Sequence, residues 1–217
     1  MPRGSEERTN SRKEEIINAC ASLYETMSFR DITIRDIGEK TTFTRTSIYN
    51  YFQTKEEIFL ALLQREYEGW NEDLQHILQS NRSLSASGFA DALAGTLEAR
   101  ECMLKLLCMN LYDMEANSRI ENLVAFKKAY AHALQTITCC LEKFFPSMTP
   151  ERIQEFLYAF FPFLFGIYPY TTATEKQKQA MELAHIQYPR YSIREITRVF
   201  VVRLLQGISA SETKQQK

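Results

Sequence analysis

The sequence predicts an all-α protein in which short N-terminal helices precede several long ones. Only seven glycines and six prolines occur among 217 residues, which favours long helices over tight turns. No segment alternates apolar and polar residues as a convincing strand does. Helix-start signals, in which Ser or Thr stands three residues before Glu or Gln, recur along the chain. These pairs are Ser11/Glu14, Thr54/Glu57, Ser118/Glu121, Thr174/Gln177 and Ser192/Glu195.

The first eighty residues predict four helices. Apolar residues at steps of three and four after Ser11 define one buried stripe, which indicates a first helix. Thr33 can cap a brief second helix through about Lys40, and Thr44 can cap a third through Tyr51 or Phe52. Thr54 then opens a long helix that reaches roughly Gln79. The stripe of the first helix comprises Ile16, Cys20, Leu23, Tyr24 and Met27.

The remaining residues predict a helical body. The polar stretch SNRSLSAS, residues 80–87, is typical of a loop, and Thr149-Pro150 places an N-cap before a proline at the first helical position. A less regular stretch is expected at 170–191, with room for one short helix. Long helices are expected near 88–112, 118–145, 150–168 and 192–208.

Composition excludes several classes of protein. The net charge is −1, so a nucleic-acid site would have to be local. The most apolar run, FLYAFFPFLFGIYPY, is shorter than the roughly 20 residues that cross a bilayer, so it indicates a buried helix and no membrane partner. Five cysteines without ligand spacing predict reduced thiols in the cytoplasm. We expect no cofactor or metal, and no catalytic constellation supports an enzyme.

The third predicted helix, 44–52, has the chemistry of a DNA-reading surface. Ile48 and Phe52 are four residues apart and can pack inward, which leaves the polar side chains outward. Arginine can read guanine, asparagine can read adenine, and hydroxyls can contact either base edges or phosphates. A lysine at the first turn of the next helix adds a cation. The three-helix arrangement is therefore a predicted helix-turn-helix. The outward residues are Arg45, Thr46, Tyr49 and Asn50, followed by Lys55.

The segment ITIRDIGEKTTFTRTSIYNYFQTKEEIF resembles the DNA-binding head of the tetracycline-repressor (TetR) family of bacterial transcription regulators. The resemblance covers about residues 11–60; beyond them only length and helical content agree. Ser28 and Thr42 stand where the family often has glycine, and Gly38 stands where it has alanine. The matching residues are Thr33, Ile34, Ile37, Thr44, Arg45, Ile48, Tyr49, Tyr51, Phe52, Thr54, Lys55 and Glu56.

The resemblance implies a homodimeric transcription regulator, most simply a repressor, that binds a palindromic operator in double-stranded DNA. Residues 1–55 would form the DNA-binding domain, and residues 56–217 the ligand-binding and dimerisation domain. By the same resemblance, base edges would be faced by Thr44, Arg45, Thr46 and Ser47. Phosphates would be held by Thr33, Tyr49, Asn50, Tyr51 and Lys55.

The resemblance also places a small-molecule effector and a dimer interface in the body. An effector of unknown identity would release the protein from DNA. The alternative is a helical interaction or ligand-binding module whose head no longer binds DNA. Candidate pocket residues are Trp70, Met103, Tyr112, Phe126, Tyr130, Phe161 and Phe165. Candidate interface residues on the last two long helices are Phe156, Phe160, Phe163, Ile196, Phe200 and Leu204.

Overall fold

A computed structural model describes residues 3–187 and 191–215, with side chains described at 7–44, 46–108, 110–187 and 191–207. Every regular element within these residues is a helix, which confirms the predicted fold class. The helices are α1 (Arg3–Thr26), α2 (Ile34–Glu39), α3 (Arg45–Ile48), α4 (Lys55–Ser80), α5 (Ala86–Glu98), α6 (Glu101–Ala116), α7 (Ile120–Phe144), α8 (Pro150–Thr171), α9 (Glu175–Leu183) and α10 (Ile193–Gln215).

The single helix predicted near 88–112 is wrong, because α5 ends at Glu98 and α6 begins at Glu101. Arg100 lies at this break, and its guanidinium donates to Asp73 of α4 at 2.7 and 3.1 Å. Gly69 makes room for it, since a Cβ there would lie 2.7 Å from Arg100 Nη1. The break thus coincides with a contact between residues distant in sequence, and neither glycine nor proline marks it locally.

The predicted helix starts were partly right. The boxes at Thr174/Gln177 and Ser192/Glu195 form, as does the Thr149 cap before Pro150. Thr54 also caps α4, because its hydroxyl accepts from the Glu57 amide at 3.2 Å, although the Glu57 carboxylate bonds the Gln53 amide instead of that of Thr54. Two predicted starts fail, for different reasons. Ser11 lies inside α1, which begins at Arg3, so it caps nothing. The Ser118 hydroxyl is buried without a hydrogen-bond partner, and α7 begins after Arg119.

One compact unit, here the N-terminal unit, comprises Met1–Tyr67 and Asn110–Tyr130. Its core joins the predicted stripe of α1 to α2, α3 and the start of α4. Phe59 lies at the centre, with its ring 5.2 Å from that of Tyr24 and 4.7 Å from that of Phe29. Burial of these rings fixes where the chain enters and leaves the short helices. The fully buried aliphatic residues include Ile16, Ile32, Ile37, Ile48, Ile58, Leu62 and Leu63.

A second compact unit, the C-terminal unit, comprises Glu68–Met109 and Ala131–Lys217. Here α10 packs against α5 and α8. Phe163 of α8 stacks on Phe200 of α10 with ring centroids 4.2 Å apart. The predicted short helix within 170–191 is α9, which buries none of its residues. No described helix is long and apolar enough to cross a membrane.

Candidate nucleic-acid interface

The residues 44–51, here called the reading segment, are held by caps and two apolar anchors. Thr44 is the N-cap of α3, and its hydroxyl accepts a hydrogen bond from the Ser47 amide at 3.3 Å. The helix was predicted to run to Tyr51 or Phe52, yet it ends at Ile48 and continues as turns. Ile48 is fully buried and Phe52 is 3% exposed, so the two anchors point inward as predicted.

The opposite side of the reading segment presents hydrogen-bonding groups to solvent. Thr44, Thr46 and Asn50 are exposed, and Tyr49 is 42% exposed. The side chain of Arg45 lies outside the described residues. A short element whose apolar side is buried and whose exposed side carries hydroxyl and amide groups can enter a groove of DNA and bind base edges or phosphates.

The turn that precedes the reading segment is bonded to α1. Glu15 Oε1 accepts from the Thr42 amide at 2.7 Å and from the Thr42 hydroxyl at 2.8 Å. These backbone and side-chain hydrogen bonds lower the pKa of Glu15. Among the described non-glycine residues only His185 has a positive φ, so neither Ser28 nor Thr42 adopts a conformation that requires glycine. Threonine at this turn therefore adds a bond without backbone strain.

Arg12 of α1 also belongs to this surface and was not among the predicted DNA-binding residues. Its Nη1 donates to the Tyr51 hydroxyl at 3.1 Å, which raises the pKa of Arg12. Its guanidinium also lies 5.6 Å from the centroid of the Phe43 ring. Arg12 stands one helical turn before Ile16 on the buried stripe, and that spacing could have identified it. The exposed guanidinium places a positive charge beside Tyr51, which is predicted to bind a DNA phosphate.

Lys55 and Thr33 already have protein partners. Lys55 Nζ donates to the carbonyl oxygens of Phe29 at 2.7 Å, Ile32 at 3.1 Å and Arg30 at 3.4 Å. Thr33 caps α2 in a reciprocal capping box with Asp36, which lowers the pKa of that carboxyl through the hydrogen bonds that it accepts from Thr33. Both residues stabilise the loop and turn before the reading segment.

The predicted pocket residues are not brought together around one described cavity. The side chains of Trp70, Met103, Phe126 and Phe161 are buried, whereas Tyr112 is 90% exposed and Phe165 is 37% exposed. Tyr130 is half-buried, with its ring 5.7 Å from that of Tyr67. A cavity of about 650 Å³ lies elsewhere in the C-terminal unit. It is lined by Tyr170, Thr171, Thr172, Ala173, Lys178, Met181, Glu182 and Ile186.

The predicted interface residues divide by exposure. Phe156 and Phe160 are fully buried within the single chain and have no accessible surface to offer a partner. The outer face of α8 instead carries Tyr158, which is 78% exposed, and α10 carries Val199, which is 47% exposed. The half-buried predicted residues are Phe163, Ile196, Phe200 and Leu204.

Two families of known sequences match this chain. Residues 16–62 match "Bacterial regulatory proteins, tetR family", and residues 64–212 match "Tetracyclin repressor-like, C-terminal domain". A curated relative, the uncharacterized HTH-type transcriptional regulator YfiR of Bacillus subtilis (strain 168), is 28% identical over 79 residues. That alignment spans 36% of this chain and 37% of the relative.

A solved structure shares the fold. The fatty acid degradation regulator FadR from Bacillus halodurans aligns with a TM-score of 0.58 over 89% of this chain and 94% of its own. The two sequences are 13% identical, so the likeness concerns the arrangement of helices.

Proposed function

The chain belongs to the TetR family of bacterial regulatory proteins, and from this we propose that it is a homodimeric repressor released from its operator by a small molecule. Residues 1–55 would act as the DNA-binding domain, and residues 56–217 as the ligand-binding and dimerisation domain. One observation carries the proposal: the reading segment exposes Thr44, Thr46, Tyr49 and Asn50 on an element anchored from beneath. The protein would act in the cytoplasm, without catalysis.

We assign the exposed residues of the reading segment two tasks in the complex with DNA. Thr44, Arg45, Thr46 and Ser47 would face base edges, where their donors and acceptors can distinguish base pairs. Phosphates, which fix the register of a protein on the duplex, would be held by the remaining predicted residues together with Arg12. The remaining residues are Thr33, Tyr49, Asn50, Tyr51 and Lys55.

Lys55 can join the phosphate contacts without leaving its loop. Its ammonium has three donors, and the bond to the Arg30 carbonyl at 3.4 Å is the longest of the three. A phosphate oxygen would replace this weakest acceptor with a charged one, which makes a stronger hydrogen bond. The two shorter bonds would hold the ammonium in place.

We propose that the dimer forms through the outer faces of α8 and α10. Phe163, Ile196, Phe200 and Leu204 stay candidates because they are half-buried in one chain, and we add Tyr158 and Val199. Phe156 and Phe160 are left out of this interface. A twofold dimer would place two reading segments about 34–36 Å apart, one turn of DNA, which explains why a palindromic operator is expected.

The effector site would lie in the body. The cavity beside Tyr170 and Met181 has a partly apolar lining, and we add it to the predicted pocket residues because ligand sites combine apolar walls with a few polar groups. The long helix α4 follows the reading segment directly and extends to Ser80, so it is our candidate for coupling the effector to DNA. If an effector lowers the affinity of the protein for DNA by some factor, DNA must lower the affinity for the effector by the same factor.

The decisive experiment selects DNA duplexes from a random library with the purified protein and measures their affinity by fluorescence anisotropy. We expect a palindromic sequence to be enriched and to bind more tightly than a scrambled duplex, with affinity falling as salt rises because phosphate contacts release counterions. A Tyr49→Phe/Lys55→Ala variant should bind more weakly. Failure to enrich any sequence, with equal feeble binding to all duplexes, would favour the alternative of an interaction module with an inactive head.

A further inference from the structure

A buried carboxylate lies at the point where the reading segment ends and α4 begins. Glu57 is 1% exposed, and its two oxygens accept four hydrogen bonds. Oε2 accepts from the Gln53 amide at 2.7 Å and from Arg119 Nη2 at 2.9 Å. Oε1 accepts from Arg119 Nε at 2.7 Å and from the Arg119 amide at 3.0 Å. The carboxylate therefore has a partner for each lone pair that it can offer.

Arg119 extends this cluster to the reading segment itself. Its Nη2 also donates to the main-chain carbonyl of Tyr51 at 3.2 Å. Two residues away, the main-chain carbonyl of Asn117 accepts a hydrogen bond of 2.9 Å from the Thr54 hydroxyl. The connection between α6 and α7, residues 117–119, is thus bonded to three successive parts of residues 51–57: the end of the reading segment, the turn after it and the first turn of α4.

The surroundings of Glu57 favour its ionised form, which strengthens its pairing with Arg119. Burial acts to raise the pKa of Glu57, but the hydrogen bonds from Arg119 and from the Gln53 amide outweigh it and leave the pKa lowered. The carboxylate also lies at the N-termini of α4 and α7, where unpaired amides favour an anion. Bidentate pairing restricts both the distance and the relative orientation of the guanidinium and the carboxylate. The α6–α7 connection is therefore expected to move together with Tyr51 and the start of α4.

We propose that Arg119 is a positioning residue for DNA recognition: through buried Glu57 and the Tyr51 carbonyl, it sets the orientation of the reading segment relative to the rest of the N-terminal unit. This inference rests on the proposed function, because it assigns Arg119 a task in reading DNA. Arg119 itself need not touch the duplex. Since base contacts depend on orientation more than contacts to the regular phosphate backbone do, specific binding should suffer more than nonspecific binding.

The test uses a Glu57→Gln/Arg119→Gln variant of the full chain, which removes the buried charge together with its partner and keeps polar groups for the Gln53 amide. Hydrogen–deuterium exchange is measured on peptides covering 44–57 and, as an internal reference, on α1. Anisotropy is measured on the duplex selected by the wild-type protein and on a scrambled duplex. An Arg119→Lys variant keeps the charge but lacks the fork that reaches both Glu57 and Tyr51.

The matched control is Asp91→Asn/Arg194→Gln. Arg194 donates to Asp91 through Nε at 3.2 Å and Nη2 at 2.9 Å, so it has the same bidentate chemistry within the C-terminal unit. The side chains of Arg194 and Asp91 are both about half exposed. Any effect common to both double variants would reflect the loss of an arginine–carboxylate pair in general rather than the positioning of the reading segment.

We expect the Glu57→Gln/Arg119→Gln variant to stay folded, to exchange faster at 44–57 but not in α1, and to lose about tenfold or more in affinity for the selected duplex, the loss expected from one poorly placed base contact. Affinity for the scrambled duplex should change by less than about threefold, and Arg119→Lys should lie between the extremes. Unchanged exchange at 44–57, or faster exchange with unchanged discrimination between duplexes, would overturn the proposal. If the wild type selects no duplex, the proposed function fails, while the exchange data still decide whether Arg119 holds the segment.

Discussion

The reading segment and the α8–α10 layer are stabilised by different forces. The reading segment is anchored by buried Ile48 and by buried Phe52, the residue that follows it. Otherwise it depends on hydrogen bonds from neighbouring residues. The α8–α10 layer depends on apolar area, with the Phe163 and Phe200 rings stacked at 4.2 Å. A surface that must offer hydroxyls and amides to DNA cannot bury them, so its order has to come from polar contacts around it.

Because of this difference, substitutions in the two regions should affect different properties: the stability of the fold and the affinity for DNA. Removing a buried ring should reduce the free energy of unfolding and leave the chemistry of the reading segment intact. Removing one of the polar contacts around the reading segment should cost less stability and more DNA affinity.

The largest effect is expected from Phe160→Ala in α8. Phe160 is fully buried, and its ring contacts those of Phe156, Phe161 and Phe163 at 5.5–6.4 Å. Truncation should lower the free energy of unfolding by about 3–5 kcal/mol, through lost burial and the cavity left behind. Urea denaturation of this variant and of Gln154→Ala, an exposed position on the same helix, measures the difference. A loss below about 1 kcal/mol would show that this layer tolerates cavities and would contradict the view that apolar burial stabilises it.

Much of this architecture could be predicted from the sequence, because the signals are local. Apolar spacing identified the stripe of α1, and the inward anchors Ile48 and Phe52 left the polar side of α3 exposed. Caps such as Thr33 and Thr149 marked helix starts, since the residues that satisfy an orphan amide lie within one turn of it. These elements need no information from distant parts of the chain.

What the sequence could not predict depends on long-range contacts. At the break between α5 and α6 Arg100 donates to Asp73, and Arg119 donates to Glu57 across 62 residues. Glu57 was predicted only as part of a capping pair, and its burial depends on where the α6–α7 connection lies. Likewise, no periodicity could distinguish buried Phe126 from exposed Tyr112, because side-chain burial there depends on tertiary packing.

The second prediction concerns the stability of the protein at low pH. Because the pKa of Glu57 is lowered in the folded protein, its contribution to stability is complete above the ordinary carboxyl value of about 4.3 and is lost as pH falls through the lower folded value. We expect the difference in unfolding free energy between wild type and Glu57→Gln/Arg119→Gln to shrink over this range. Denaturation midpoints from pH 7 to pH 3 measure it. A difference that stays constant with pH would mean that Glu57 titrates alike in both states.

Lys55→Met should affect both stability and DNA binding. Losing a charged donor to three carbonyls should cost about 2 kcal/mol, typical of hydrogen bonds that involve one charged group. Loss of one phosphate contact should reduce the slope of log affinity against log salt by about 0.9. Lys176→Met at an exposed position of α9 is the control and should change neither quantity. An unchanged salt slope would remove Lys55 from the phosphate ligands and leave it a structural role.

A smaller effect is expected at the turn that lacks the family's glycine. Thr42→Gly should reduce stability by about 0.5–1 kcal/mol, because glycine increases the freedom of the unfolded chain at a position that does not need positive φ. Thr42→Ala keeps the backbone restriction and loses only the hydroxyl bond to Glu15. Thermal unfolding of both variants should therefore rank Ala above Gly. The opposite ranking would indicate that the turn relaxes toward the family's glycine geometry.

The smallest effect is expected from Tyr112→Ala, which tests a side chain on the exposed side of α6. Tyr112 is 90% exposed, so truncation removes little burial and should change the free energy of unfolding by less than about 0.5 kcal/mol. The matched substitution Phe126→Ala removes a buried ring 5.8 Å from that of Tyr67 and should cost about 3 kcal/mol or more. Both positions were predicted to line an effector pocket. A large loss at Tyr112 would mean that a partner chain or a ligand covers it, and dependence of that loss on protein concentration would identify a second copy of the chain as the cover.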